Sequence, residues 1–156
     1  MVSKGVGDTY IYRIIDIMRK WKRMDVSAVF TEKLSMPEFT ILNGIERLEK
    51  TKEIVYVSDL VHLFSLSAQA VSKYLRICDN FGWVRREMDA ADRRNTKLFL
   101  TESGRKILEK CERELTEFYQ SLLNEMDIQE IENMLSIADR LYAKTMDKLE
   151  HLQLAE

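Results

Sequence analysis

LSAQAVSKYLRICDNFGWVRREMDAADRRNTKLFLTESG, residues 66–104, decides the reading of this chain. Ser67 is a helix-capping residue type, and Val71, Leu75 and Cys78 follow at spacings of four and three. Residues 68–80 are therefore predicted to form a helix with one apolar face. Gly82 fits the position just past a helix end, where left-handed backbone suits glycine best. Trp83, Val84 and Arg85 lead into a strand, DAADRRN (89–95) makes a polar loop, and KLFL (97–100) returns as a second strand. No Asn-Gly or Asp-Gly pair is present, so a long loop is expected rather than a tight turn. TESG (101–104) opens a further helix. The order helix, strand, loop, strand, helix describes a β-hairpin wing behind an exposed helix.

Working outward, Ser58 is expected to cap a brief helix containing Leu60, Val61 and Phe64, which Ser65 breaks. Two short helices joined by three or four residues make a helix-turn-helix. Val55 and Val57 read as a short extended piece before it. SMPE (35–38) is a strong start signal, with Ser35 as cap, Pro37 in the first turn and Glu38 positioned to close a capping box. Phe39, Ile41, Leu42, Ile45 and Leu48 then mark an apolar stripe. In residues 8–24, Ile11, Ile14, Ile15, Met18 and Trp21 recur at spacings of three and four, an amphipathic helix. A helix with Leu108, Cys111, Leu115, Phe118 and Leu122 on its stripe should run to about residue 123. The final helix carries Ile128, Ile131, Leu135, Ala138, Tyr142, Thr145, Leu149 and Leu152, alternating threes and fours throughout. A heptad held that long calls for a partner helix, from this chain or a second one.

The 156 residues are 46% hydrophobic and 32% charged, with a net charge of −2. That size supports one domain with a core. The charge is unevenly spread: residues 66–100 hold seven Lys/Arg against four Asp/Glu, and residues 101–156 hold seven against 13. Attraction to phosphates depends on charge within about one Debye length, ~8–10 Å, so the local excess outweighs the acidic total. The acidic tail is expected to face away from nucleic acid. On the predicted helix 68–80, Gln69, Ser72, Lys73 and Arg76 lie opposite the apolar face, groups suited to base edges and phosphates in a major groove. Arg93 and Arg94 at the loop tip suit the narrow minor groove. Cys78 and Cys111 form no disulfide framework, no apolar run approaches a membrane span of roughly 20 residues, and MVSKGVGDTY lacks an apolar signal core. A cytoplasmic location is the expectation.

VSKYLRICDNFGWV (71–84), Arg85, DRR (92–94) and LTESG (100–104) closely resemble the MarR family of bacterial transcriptional regulators. Residues 34–48 also look like the family's second helix, so the resemblance spans nearly the whole chain. It implies a mainly α fold with a small β-hairpin wing: a winged helix-turn-helix lobe (35–104) and a helical dimerisation region (8–30 and 105–152) within a single domain, 1–156. It implies a homodimer on a pseudo-palindromic operator, acting as a ligand-responsive repressor. Ser67, Gln69, Ser72, Lys73 and Arg76 would lie on or near the major groove, with Arg93, Arg94 and Lys97 adding cations from the wing. Asp92 would brace the wing through Arg85, leaving Arg94 for the minor groove. Ile11, Leu135, Tyr142, Leu149 and Leu152 would serve dimerisation. No cofactor is implied, though family effectors are often phenolic or aromatic anions bound between the dimerisation region and the DNA lobe. The chain departs from the family pattern at Ser65, where glycine is common, and at Val61, Cys78 and Trp83. The turn at Ser65 is expected to be wider than usual.

Competing readings come from particular residues. Cys78 and Cys111 are redox-sensor candidates, but both sit on apolar stripes that favour burial. His62 and His151 have no ligand-spaced neighbour of their own type, which argues against metal sensing. Tyr10, Trp21, Phe30, Phe39 and Phe118 fit a core more readily than an effector pocket. No nucleophile elbow, GxGxxG, Walker loop or HExxH is present, so no enzyme is expected. A winged-helix module for protein–protein contact is the rival from another class.

Overall fold

The chain forms six helices and one small sheet in a computed structural model that describes residues 4–90, 92 and 95–153. It divides into two compact units, residues 1–112 and 113–156. The division falls inside one helix. Leu108 and Cys111, on the first half of that helix, are fully buried and belong to the first unit's core.

Helix α1 (Lys4–Arg23) carries the predicted stripe, but Ile11, Ile14, Ile15, Met18 and Trp21 are all exposed. Helix α2 (Met36–Glu49) starts as its sequence indicates, with the Ser35 N–H donating to Glu38 Oε2 at 2.9 Å. Ile41, Leu42 and Ile45 are buried without remainder, and the Phe39 ring lies 5.3 Å from Phe30. Strand β1 (Val55–Tyr56) leads straight into α3 (Val57–Phe64). The cap is Tyr56, not Ser58, because the Tyr56 N–H is held by Asp59 Oδ2 at 2.8 Å and the helix begins two residues early.

Between α3 and α4 (Ala68–Asn80) only residues 65–67 intervene, so the expected wider turn does not occur. Ser65 itself adopts the left-handed conformation, φ 51°, that a glycine would take there. That costs a side-chain-bearing residue about 1–2 kcal/mol, carried by the packing of the two helices. Ser67 Oγ accepts from the Ala70 N–H at 3.2 Å and caps α4 as expected. Val71, Leu75 and Cys78 are buried completely. At the far end Gly82 has φ 70°, its N–H donating to the Asp79 carbonyl, while the Trp83 N–H reaches the Cys78 carbonyl at 2.9 Å.

The sheet is antiparallel in the order β1-β3-β2, with β2 at Val84–Met88 and β3 at Thr96–Leu100. Val55 pairs with Leu98 and Val84 with Leu100, which puts four buried apolar side chains on the inner face. Helix α5 (Glu102–Leu123) follows at once. The Thr101 N–H donates to the Trp83 carbonyl at 3.1 Å, its hydroxyl donates to the Gly82 carbonyl at 2.6 Å with the Trp83 oxygen at 3.2 Å, and Oγ1 accepts from the Gly104 N–H at 3.0 Å. A Cβ on Gly104 would lie 2.0 Å from that same carbonyl oxygen. This contact gives the LTESG segment its physical meaning, a helix start folded tightly under a strand start.

In the second unit, α6 (Ile128–Gln153) is capped by Asp127, whose Oδ1 accepts from the Gln129 N–H at 2.8 Å. Its heptad positions Ile128, Leu135, Tyr142, Leu149 and Leu152 are exposed in the isolated chain. Among the described residues no helix is long and apolar enough to cross a membrane.

Gly104→Ala tests the close approach. At an open helical site this change stabilises by about 1 kcal/mol, but against a fixed carbonyl overpacking reverses the sign. We expect a loss of about 3 kcal/mol in urea unfolding. A stabilised variant would show that the two segments separate freely.

Candidate nucleic-acid interface

Helix α4 is the centre of the site. Its apolar face is fixed in the core, so Gln69, Lys73 and Arg76 are turned outward, with Ser72 half-covered and Ser67 at the exposed N-terminus. These five residues, with Ala70 and Tyr74, line one shallow concavity of about 520 Å³. Lys73 Nζ lies 5.5 Å from the Tyr74 ring centre, a contact that leaves its charge in water. Among the described residues Lys73 and Arg76 take part in no ion pair. Two unneutralised cations beside hydroxyl and amide groups suit a polyanion with hydrogen-bonding edges.

The wing behaves differently from its sequence expectation. Arg93 and Arg94 lie outside the described residues. Arg85 pairs with Glu87, its neighbour on the same strand face, and stacks 4.8 Å from the Phe99 ring centre, opposite it in the ladder. The guanidinium expected to meet Asp92 is therefore engaged within the hairpin, because strand alternation sets Arg85 and Glu87 side by side. Asp92 instead accepts from Asn95 Nδ2 at 3.3 Å, and its carbonyl accepts from the Asn95 N–H. Lys97, expected among the DNA-contacting cations, lies 3.4 Å from Asp89 with 23% of its side chain exposed.

Asp89 was not singled out by sequence reasoning. It is buried to 8% exposure at the end of β2, and Oδ2 accepts from the Tyr56 hydroxyl at 2.7 Å. Its N–H donates to the Asn95 carbonyl at 3.0 Å, which closes the base of the wing loop. The hydrogen bond to Asp89 holds the Tyr56 phenol above its ordinary pKa. Only the polar run 89–95 hinted at this aspartate, and nothing in it separated residue 89 from residue 92.

A second cleft, about 370 Å³, lies between the helix-turn-helix and the sheet. It is lined by Tyr56, Ser58, Ser72, Arg86, Asn95 and Thr96 among others, and Arg86 Nε is buried there without a hydrogen-bond partner. A buried, unpaired guanidinium nitrogen is costly, and an anion seated in the cleft would relieve that cost.

Solved structures similar to this chain include several MarR-type regulators. A MarR family transcription regulator superposes with a TM-score of 0.77 at 17% identity, covering 92% of this chain and 95% of that one. The S. aureus MepR–DNA complex gives 0.66 at 20% identity, with 88% and 96% covered. Wild-type apo MarR from E. coli gives 0.66 at 19% identity, with 83% and 93% covered. The fold is that of the MarR regulators. No family model matches the sequence, and no curated protein matches it either. The MarR-type fold has thus kept its architecture here at low sequence identity.

Within this MarR-type fold the other candidates sort by burial. Cys78 and Cys111 are both buried and neither forms a disulfide among the described residues. Burial, with the Glu38 carboxylate adding to it, pushes the Cys78 thiol up to about 12, so it stays protonated across the physiological range. Phe30 and Phe39 are core residues as expected, whereas Tyr10, Trp21 and Phe118 are exposed. Among the described residues no three His, Cys, Asp or Glu side chains gather as a metal site. The thiol assignment is open to direct check. In mildly alkaline buffer a maleimide should leave Cys78 unmodified in the native protein and label it after denaturation. Rapid native labelling would restore the redox-sensor reading.

Proposed function

We propose that this chain is a DNA-binding transcriptional regulator that acts as a homodimer, reading the major groove with α4 and the flanking backbone with its wing. The observation that carries this is the outward face of α4. Ser67, Gln69, Ser72, Lys73 and Arg76 line one concavity, and among the described residues neither cation is paired with a carboxylate. The MepR structure solved with DNA has the same fold, which supports the reading by analogy. In this role Lys97 belongs to the wing root, and Arg93 and Arg94 supply the wing's cations. Ligand-responsive repression is the form of regulation we favour. A small anion would find a donor at Arg86, in the cleft between α4 and the hairpin. We further propose a cytoplasmic location and no enzymatic activity.

Lys73→Ala and Arg76→Ala should each weaken binding to duplex DNA in fluorescence anisotropy. Each should reduce the slope of log K against log salt by about 1, the signature of one lost phosphate contact. If the unmodified protein binds no duplex even at low salt, the protein–protein reading of the winged helix replaces this one.

The exposed seam on α6 and the apolar face of α1 suit burial between two copies. Leu149→Glu places a charge on that seam, and we expect light scattering to show a monomer where the unmodified chain is a dimer. An unaltered mass would remove Leu149 from the interface.

A further inference from the structure

The root of the wing is tied to the start of the helix-turn-helix by a continuous polar chain. Lys52 Nζ lies 2.6 Å from Asp59 Oδ1, and Asp59 Oδ2 accepts from the Tyr56 N–H at 2.8 Å. The Tyr56 hydroxyl donates to Asp89 at 2.7 Å, and Asp89 also faces Lys97 at 3.4 Å. Tyr56 and Lys97 are paired across β1 and β3, while Asp89 and Asn95 are joined through the backbone where the loop leaves the sheet. One tyrosine therefore caps α3 with its backbone and holds the wing root with its hydroxyl. Asp89 is buried and charged, so releasing the hydroxyl would leave a carboxylate less fully satisfied in a poorly hydrated place.

We propose that Tyr56 and Asp89 are positioning residues that set the wing relative to the helix-turn-helix, so that wing and α4 engage one duplex together. This rests on the DNA-binding reading above. Neither side chain needs to touch nucleic acid. β1 contributes two residues to the sheet, so its ladder alone is a short hinge, and the Tyr56–Asp89 bond adds a fixed point beyond it. With the bond broken, the wing's cations and those of α4 would no longer be held at one spacing.

Tyr56→Phe removes the hydroxyl and keeps the ring. Binding is read on random-sequence duplex DNA across a salt series, so no operator need be known. In parallel, amide hydrogen exchange at Asp89 and at Leu75 is followed by NMR on the DNA-free protein. Tyr56→Phe should lower affinity roughly tenfold and reduce the salt slope by about 1–2, through lost wing contacts. Asp89 exchange should quicken while Leu75 exchange and the melting temperature hold.

If Tyr56→Phe keeps full affinity and slope while the unmodified protein binds, the positioning role is overturned and the DNA reading stands. If affinity falls in step with the melting temperature and the slope is unchanged, the bond only stabilises the fold and the role is again overturned. If the unmodified protein binds no duplex, the DNA reading fails first, and the positioning role fails with it.

Discussion

The Trp83 carbonyl is the point on which the first unit turns. It accepts from the Thr101 N–H, the Thr101 hydroxyl donates to the Gly82 carbonyl next to it, and Gly104 passes so close to the Trp83 oxygen that a methyl group would collide with it. The Trp83 N–H meanwhile closes the end of α4 on the Cys78 carbonyl, and its ring stacks 4.5 Å from Phe81. One peptide therefore fixes where α4 stops, where β2 begins and where α5 starts. The outward direction of α4 is inherited from this arrangement. Val71, Leu75 and Cys78 can face only the core, and Gln69, Lys73 and Arg76 are left to the solvent.

Wing and recognition surface are held by different physics. The helix face is set by apolar burial, which is insensitive to single polar contacts. The wing root is set by a few hydrogen bonds and ion pairs around Asp89, which depend on geometry. The hairpin's own apolar anchors, Val84, Leu98 and Leu100, stop short of the loop. Beyond them the polar set takes over, and with it the control of the loop's direction.

Most of the fold was legible in the sequence because its signals are local. Capping at Ser35 and Ser67, the stop at Gly82 and the three-four spacing of α1, α4 and α6 each depend on neighbours within a turn. The start of α3 lies two residues before the expected one because a tyrosine is a poor cap by type, and the Asp59 carboxylate makes it serve. Ser65 was read as a widened turn, yet packing holds it in a glycine-like conformation. The α4 residues of the candidate site were readable for the same local reason. The wing was less so, since Tyr56 and Asp89 stand 33 residues apart and only the sheet brings them together.

The same contacts explain how an acidic chain can present a basic surface. The carboxylates of the lobe are not spread evenly over it. Asp59 is desolvated, which alone would raise its pKa, but the Lys52 ammonium and the Tyr56 N–H outweigh that and hold it below the ordinary value. Its stabilising charge is therefore present at neutral pH and fades only as the medium turns acidic enough to protonate it. Glu87 is matched by Arg85 and Asp89 by Lys97, so each of these anions is neutralised by a cation inside the lobe. That pairing removes Arg85 and Lys97 from the set available to a polyanion and leaves Lys73 and Arg76 unneutralised on α4. A count of charges along residues 66–100 includes Lys73 and Arg76 but does not separate them from Arg85 and Lys97, which are paired within the lobe. Among the described residues the cations at the outward face of α4 are Lys73 and Arg76, and local charge of this kind acts over about one Debye length.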